Sequence, residues 1–115
     1  MNNITYLNGE FVEASQAKVS VYDRGFLFGD SVYEVIPVYL SKPFRLQDHI
    51  DRLKLSLDAV HIKLDYSDAH WLALISELIE QNGGGNLSLY IQVTRGFEAQ
   101  RDHVAQQSTQ PTVVM

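Results

Sequence analysis

The feature that most constrains the fold is a change of hydrophobic period between Tyr39 and Leu46. Before it, residues 32–39 place successive side chains on alternating faces, a pattern typical of a β-strand. After it, an apolar side chain recurs every three or four residues from Leu46 to Val60, which predicts an amphipathic helix over about residues 47–61. Because the two patterns adjoin, we expect the helix to bury its apolar stripe against a sheet.

The strand of residues 32–39 is apolar at most positions of both faces, so we expect it to be buried on both sides. Pro37 interrupts it, and proline has no amide hydrogen to donate to a neighbouring strand. The residue therefore predicts either a bulge or a sheet edge at this point.

The segments on either side of this strand and helix predict a hairpin and a second helix. Asn8-Gly9 lies between two short apolar runs in residues 3–14 and is typical of a type I′ hairpin turn. Ser67 is a candidate N-cap for a helix that ends at the glycines of residues 83–85.

Two strands complete the prediction. Residues 86–96 have a clear strand pattern, and residues 111–115 begin one more strand. A strand at residues 111–115 favours a chain that continues beyond them, and a short edge strand is the alternative. The predicted fold is α+β, an antiparallel sheet with two amphipathic helices packed on it.

The composition is typical of one globular domain, because 45% of the 115 residues are hydrophobic and 20% are charged. Nine Lys and Arg against fourteen Asp and Glu give a net charge of −5, so nucleic-acid binding is not expected. The chain has no cysteine, no signal-like N-terminus and no run of about 20 apolar residues. We expect a cytoplasmic protein, with no membrane contact, whose partner is a small molecule.

The acidic chain nevertheless carries a small cationic cluster in RGFEAQRDH, residues 95–103. Taken alone, the RDH of residues 101–103 is most often solvent-facing charge, and Arg52 on the helix flank is most often a solvated arginine. The histidines show no spacing that would bring several ligands together with carboxylates, so no metal site is predicted.

Several other polar residues are assigned to structure. We expect Glu34 to be a buried, hydrogen-bonded carboxylate, and residues 23–25 to form an ion-paired turn. Gly96 would permit a backbone conformation that other residues resist. His49 is either a neighbour of Arg52 or a partly buried helix histidine, and the second interpretation is favoured.

Three segments together resemble a known family. VYDRGFLFGDSVYEV, FRLQDHIDRLKLSL and YIQVTRG, followed by RDH six to eight residues beyond Arg95, are similar to the N-terminal domain of the class IV (fold type IV) pyridoxal-phosphate aminotransferases. The likeness is greatest to D-amino acid aminotransferase and covers nearly the whole chain in order and spacing.

The resemblance implies an enzyme of which residues 1–115 are the N-terminal domain. Family members are about twice this length or more, and their second domain carries the lysine that binds pyridoxal phosphate covalently. None of Lys18, Lys42, Lys54 and Lys63 has a desolvated setting that would make it a nucleophile. We therefore expect the full-length protein to be an aminotransferase and this chain alone to be inactive.

The resemblance also implies the binding residues. Arg52 matches the arginine that holds the cofactor phosphate, while Tyr33, Arg101 and His103 match the residues that hold the substrate carboxylate. The family builds this carboxylate site across a homodimer, so the RDH loop of one subunit is expected to serve its neighbour. The implied substrates are an amino acid, such as D-alanine, and a 2-oxo acid.

Two kinds of alternative stay open. The first is another reaction on the same fold, a branched-chain aminotransferase or an aminodeoxychorismate lyase. The second is a free-standing, non-catalytic domain, favoured by the missing lysine and the short length.

Overall fold

The computed structural model describes residues 3–115, so residues 1–2 of the predicted domain lie outside the described residues. The strands are β1 (Ile4–Leu7), β2 (Glu10–Glu13), β3 (Ser31–Tyr39), β4 (Lys42–Pro43), β5 (Leu87–Thr94) and β6 (Thr112–Val114). The α-helices are α1 (Arg24–Phe28), α2 (Leu46–Ala59) and α3 (Asp68–Gln81). Every strand pair is antiparallel, in the order β2-β1-β6-β5-β3-β4, which confirms the predicted α+β fold.

The predicted turns and caps are present. Asn8 and Gly9 join β1 to β2 with φ angles of 48° and 97°, as a hairpin turn with two left-handed residues requires. The Ser67 hydroxyl accepts a hydrogen bond of 3.1 Å from the His70 amide and so caps α3. Residues close together in the chain therefore determine both the turn between β1 and β2 and the start of α3.

The core lies between one face of the sheet and the stripes of α2 and α3. Each helix buries residues spaced three or four apart, as the sequence pattern predicts. These residues are Ile50, Leu53 and Leu57 from α2, and Trp71, Ile75, Leu78 and Ile79 from α3.

The prediction that β3 is buried on both faces is wrong. Ile36 and Val38 are fully buried on the helix side, but Tyr33, Val35 and Tyr39 expose 64%, 44% and 58% of their surface. Within residues 3–115, the helices that cover the sheet pack on one face only, which is common for antiparallel sheets. The strand pattern showed apolar side chains on both faces but not which face has a cover.

Pro37 lies at a sheet edge and not in a bulge. β3 pairs with β5 without interruption from Ser31 to Val38. On the other side, the Pro37 carbonyl accepts a hydrogen bond of 2.8 Å from the Phe44 amide, just beyond the two pairs made by β4. The missing amide hydrogen therefore faces the sparsely paired edge of the sheet.

The strand predicted at residues 111–115 is confirmed, but it is not an edge strand. β6 lies between β1 and β5 and pairs with both. Its Val113 side chain is 1% exposed.

The short helix α1 was not predicted. It is a single turn, which is too short to show a hydrophobic period. The Asp23 carboxylate caps it by accepting from the Gly25 amide, and Gly29 ends it with a φ of 64°. No helix within residues 3–115 is long and apolar enough to cross a membrane.

Candidate active site

Arg52 projects from α2 and is held by one carboxylate. Its Nε and Nη2 atoms each donate a hydrogen bond of 2.8 Å to the two oxygens of Glu34, a bidentate pair. The Glu34 side chain is 4% exposed, whereas that of Arg52 is 67% exposed. The pair thus fixes the guanidinium from its protein side and leaves its other side in solvent.

Arg52 keeps capacity to bind an anion. A guanidinium has five N–H donors, and the two bonds to Glu34 leave three without a partner among the described residues. An opening of about 270 Å³ beside it is lined by Arg45, Asp48, His49 and Arg52. The arrangement is suited to a phosphate or another small anion.

Glu34 stays ionised because of its partners. The hydrogen bond from Arg52 is the main cause that lowers the pKa of Glu34; burial acts in the opposite direction, and His49 adds a smaller lowering. In return, Glu34 raises the pKa of Arg52. The predicted buried, hydrogen-bonded carboxylate is therefore confirmed.

His49 is connected to Arg52 through Glu34. Its Nδ1 atom lies 2.7 Å from Glu34 Oε1, the same oxygen that accepts from Arg52 Nη2. The favoured interpretation of a histidine that is merely half-buried on a helix is thus incomplete. No sequence pattern marks this contact, because it depends on the register of α2 against β3.

Arg101 and His103 lie together on one aromatic ring. The Arg101 guanidinium carbon is 4.9 Å from the centre of the Phe28 ring, and the His103 ring centre is 5.2 Å from it. Both side chains belong to exposed residues, and among residues 3–115 neither makes a side-chain hydrogen bond or ion pair. A cation and an imidazole are therefore presented side by side to solvent.

The loop that carries these two residues is tied down by Arg24. Its guanidinium donates to the backbone carbonyls of Asp102 and His103, the latter at 2.9 Å. It also forms ion pairs with Asp30 and Glu98, at 3.0 and 3.1 Å. The ion-paired turn predicted at residues 23–25 is confirmed, but its reach to the distant loop was missed.

Glu98 organises the other end of the loop. It is 7% exposed, and its Oε2 atom accepts from the Gln106 amide at 2.7 Å and from the Thr109 hydroxyl at 2.6 Å. The Thr109 hydroxyl and then the Gln106 amide are the largest causes that lower the pKa of Glu98, and burial opposes them. Arg24 adds to the lowering, so the carboxylate is held in its charged form.

Charge is also balanced around Arg24. Burial works against the charged guanidinium, but Asp30 and Glu98 outweigh it and raise the pKa of Arg24. Burial likewise opposes the charge of Asp30, yet Arg95 and Arg24 lower its pKa. The result is a cluster of alternating charges in which Arg24 and Glu98 are buried and Asp30 and Arg95 are partly buried.

Gly96 fixes the start of the loop, as predicted. Its φ is 116°, and an added Cβ would lie 1.8 Å from the Gln110 carbonyl oxygen. Its own carbonyl accepts a hydrogen bond of 2.8 Å from the Arg24 amide. Only glycine fits this close approach of two backbones.

Tyr33 lies apart from the other candidate substrate residues. It projects from the open face of the sheet, where its ring centre is 6.0 Å from that of Tyr90. Among residues 3–115 it makes no hydrogen bond or ring contact with Arg101 or His103. One chain thus brings Arg101 and His103 together but does not bring Tyr33 to them.

None of the lysines has the setting of a covalent cofactor site. Lys18, Lys42 and Lys63 are exposed, and Lys54 is half-buried in an ion pair with Asp68. Within the described part of the chain, no group of three or more His, Asp or Glu side chains is arranged to hold a metal ion.

A larger groove lies elsewhere. It has a volume of about 1400 Å³ and runs between the turn of residues 60–66 and the loop of residues 97–111. Tyr33, Arg52, Arg101 and His103 are not among its lining residues. Size alone therefore does not point to the candidate residues.

Comparison with known proteins identifies the family of this chain. The family described as Amino-transferase class IV matches residues 31–115, well over half of the chain. The chain belongs to the class IV aminotransferases. D-alanine aminotransferase from Staphylococcus aureus (strain N315) is 43% identical over 98 residues, which are 85% of this chain and 34% of that protein. The chain thus spans about a third of the length of the curated relatives it matches.

Solved structures of branched-chain aminotransferases share the fold. Branched-chain amino acid aminotransferase from Escherichia coli has a TM-score of 0.90 and 22% identity, covering 99% of this chain and 38% of that one. The branched-chain aminotransferase from the archaeon Thermoproteus uzoniensis, solved with norvaline, has a TM-score of 0.88 and 24% identity, covering 99% and 39%. At these identities the likeness shows the fold alone.

Proposed function

We propose that residues 1–115 serve as the N-terminal domain of a pyridoxal-phosphate-dependent aminotransferase. The reaction would transfer an amino group between a 2-oxo acid and an amino acid of the D-alanine type. The observation that carries the proposal is the 43% identity to a D-alanine aminotransferase over 85% of the chain. The cytoplasmic location expected from the sequence stays a prediction.

Arg52 is the residue proposed to hold the cofactor phosphate. Its three unused N–H donors and its fixed position on Glu34 suit a dianion that needs a preorganised, charge-assisted partner. Pyridoxal phosphate, when bound, supplies the electron sink for the amino-group transfer. The protein's own contribution at this point is to bind and orient the phosphate end.

Arg101, His103 and Tyr33 are the residues proposed to bind the substrate carboxylate. A charge-assisted hydrogen bond in a partly desolvated place contributes about 1.5–3 kcal/mol, so two or three converging donors suffice for a strong grip. The separation of Tyr33 from the other two within one chain supports a site completed by a second subunit. A homodimer is thus part of the proposal.

The chain alone is proposed to be inactive. Each of the four lysines is solvent-accessible or ion-paired, so none is desolvated in the way that lowers the pKa of a lysine nucleophile. The covalent attachment of the cofactor would come from residues outside this chain.

A branched-chain aminotransferase is the second candidate. It is favoured by two solved structures that are named as branched-chain aminotransferases and match this chain with TM-scores of 0.88 and 0.90. Identities of 24% and 22% carry less weight for substrate preference than 43% to a D-alanine enzyme. The D-amino acid reaction is therefore placed first.

The test divides the protein purified from its native cell into two portions. One is reduced with borohydride, which fixes a pyridoxal group to its lysine, for the intact mass, and the other is left unreduced for the turnover assays. We expect an intact mass well above 13.0 kDa with one pyridoxyl adduct, and turnover of D-alanine faster than of L-leucine. A preference for L-leucine would select the branched-chain candidate. A mass of 13.0 kDa without an adduct would instead indicate a free-standing, non-catalytic domain.

A further inference from the structure

We infer that Arg24 is a positioning residue for substrate binding, because its guanidinium holds the loop that presents Arg101 and His103. The inference rests on the proposed function of these two residues and deepens it. Arg24 is 78 and 79 positions away from the carbonyls it binds in the chain, so the contact is a tertiary clamp and not a local turn.

The contacts of Arg24 are directed at the carboxylate-binding residues themselves. Two of its donors bind the carbonyls of Asp102 and His103, which follow Arg101 directly and include one of the candidate binding residues. Moving either carbonyl would move the side chain attached to the same residue. The clamp thus acts on the backbone within one residue of both Arg101 and His103.

Phe28 links the clamp to the same side chains. The Arg24 guanidinium lies 4.7 Å from the centre of the Phe28 ring, and the Arg101 guanidinium lies 4.9 Å from it. The ring also contacts His103. Because cations favour the face of an aromatic ring, Phe28 gives the Arg101 side chain a preferred position against the same ring that Arg24 contacts.

Preorganisation explains why the chain buries a cation here. Arg24 is 5% exposed, and burial of a charge is costly unless ion pairs and hydrogen bonds satisfy it. Four of its five donors are used, two on carboxylates and two on loop carbonyls. Holding a binding loop before the substrate arrives removes the ordering cost from the binding step.

Arg95 provides a matched control within the same cluster. It also forms an ion pair with Asp30 and also donates to two backbone carbonyls, but these belong to Val60 and His61 in a different turn. Replacing either arginine by lysine keeps the positive charge and removes the rigid fork of donors. Only Arg24→Lys releases the loop of Arg101 and His103.

The experiment measures steady-state kinetics of Arg24→Lys and Arg95→Lys in the native-length protein, with D-alanine and 2-oxoglutarate as substrates. For Arg24→Lys we expect KM for D-alanine to rise at least tenfold while kcat changes less than threefold. The inhibition constant of propionate, a carboxylate without an amino group, should rise by the same factor. For Arg95→Lys we expect KM within twofold of the parent protein.

A double-mutant cycle distinguishes positioning from general stabilisation. In a background that carries both Arg101→Met and His103→Phe, Arg24→Lys should change KM less than twofold, because both side chains that it positions are gone. An unchanged KM in the single Arg24→Lys variant would overturn the inference. A full tenfold effect that persists without Arg101 and His103 would overturn it as well.

Hydrogen exchange separates this inference from the proposed function. Amides of residues 99–105 should exchange at least tenfold faster in Arg24→Lys than in Arg95→Lys. If the parent protein has no aminotransferase activity, the proposed function fails, and this exchange still decides whether Arg24 holds the loop. Equal exchange in the two variants would overturn the clamp in either case.

Discussion

Arg24 and Arg52 are both arginines bound to carboxylates, but they differ in exposure and in the number of donors left unused. Arg24 is 5% exposed and uses four of its five N–H donors on protein acceptors. Arg52 has a side chain that is 67% exposed and uses two. One guanidinium is occupied by the protein, and the other is oriented by it and left open.

The difference shows how one residue type can join segments of the chain in one place and keep donors open to solvent in another. In the Arg24 region the acceptors come from Asp30 and from two points of the distant loop, Glu98 and His103, so the cation joins two segments of the chain. In the Arg52 region a single buried carboxylate supplies both acceptors. The number of unused donors, and not the presence of an ion pair, distinguishes Arg52, the residue proposed to bind phosphate, from Arg24.

The largest effect is expected from Arg24→Met. It removes a cation from its pairs with the buried Glu98 and the partly buried Asp30, and removing one partner of a buried ion pair costs about 3–5 kcal/mol. Urea unfolding of the variant and its parent measures the change in the free energy of unfolding. Arg52→Met should lose clearly less, because the buried Glu34 keeps its contact with His49. Equal losses for the two variants would contradict the comparison.

The next effect concerns cofactor binding by the native-length protein. Arg52→Met should lower the affinity for pyridoxal phosphate by about tenfold or more, since it removes charge-assisted donors to the phosphate. A fluorescence titration with pyridoxal phosphate measures this. Pyridoxal, which lacks the phosphate, serves as the control ligand and should bind equally to variant and parent. An equal loss for both ligands would point to a disturbed fold instead of a lost phosphate contact.

A smaller effect is expected from Thr109→Val, which removes the hydroxyl that bonds Glu98. The loss at neutral pH should be about 1.5–3 kcal/mol, the range of a hydrogen bond to a charged group. The pKa of Glu98 is lowered in the folded state, so its stabilising contribution exists above the ordinary value of 4.5 and disappears on acidification. The difference between variant and parent should therefore shrink as the pH falls below 4.5.

Urea unfolding at neutral and at acidic pH measures this dependence. Thr109→Ser keeps the hydroxyl and should follow the parent protein at both. A loss for Thr109→Val that is the same at every pH would mean that poor packing of the methyl group that replaces the hydroxyl, and not the lost bond to Glu98, is responsible.

The smallest effect is expected from Asp48→Asn, beside Arg52. Asp48 pairs with Arg45 at 2.7 Å, but the two side chains are 60% and 68% exposed. Exposed ion pairs contribute little, so the free energy of unfolding should change by less than about 0.5 kcal/mol. Urea unfolding checks it. If Asp48→Asn lost as much stability as Arg24→Met, burial could not be the reason why the Arg24 ion pairs stabilise the fold more than the Arg45–Asp48 pair.

Much of the fold was predictable because local chemistry specifies it. The Asn8-Gly9 turn, the Ser67 cap and the stripes of α2 and α3 each depend on residues a few positions apart. α1 escaped prediction because five residues show no period. The open face of β3 was also not predicted, because the alternation of side chains along a strand identifies two faces but does not tell which one the helices cover.

The candidate residues were named from resemblance, and their surroundings were not predictable. Arg24 meets Glu98 across 74 positions, and Glu34 meets Arg52 across 18, so no motif contains either pair. The cationic cluster of residues 101–103 was visible in the sequence. The ring of Phe28 beneath it was not, because α1 itself was missed.

The interior position of β6 has a consequence for how the domain is made. The hairpin of β1 and β2 joins the rest of the sheet through β6, and the Val113 amide bonds Asn8 across 105 positions. At about 5–20 residues per second, a ribosome needs roughly 5–20 s to make that intervening stretch. During this time the edge of β1 that later pairs with β6 has no partner, and an unpaired strand edge is a place where another chain can pair.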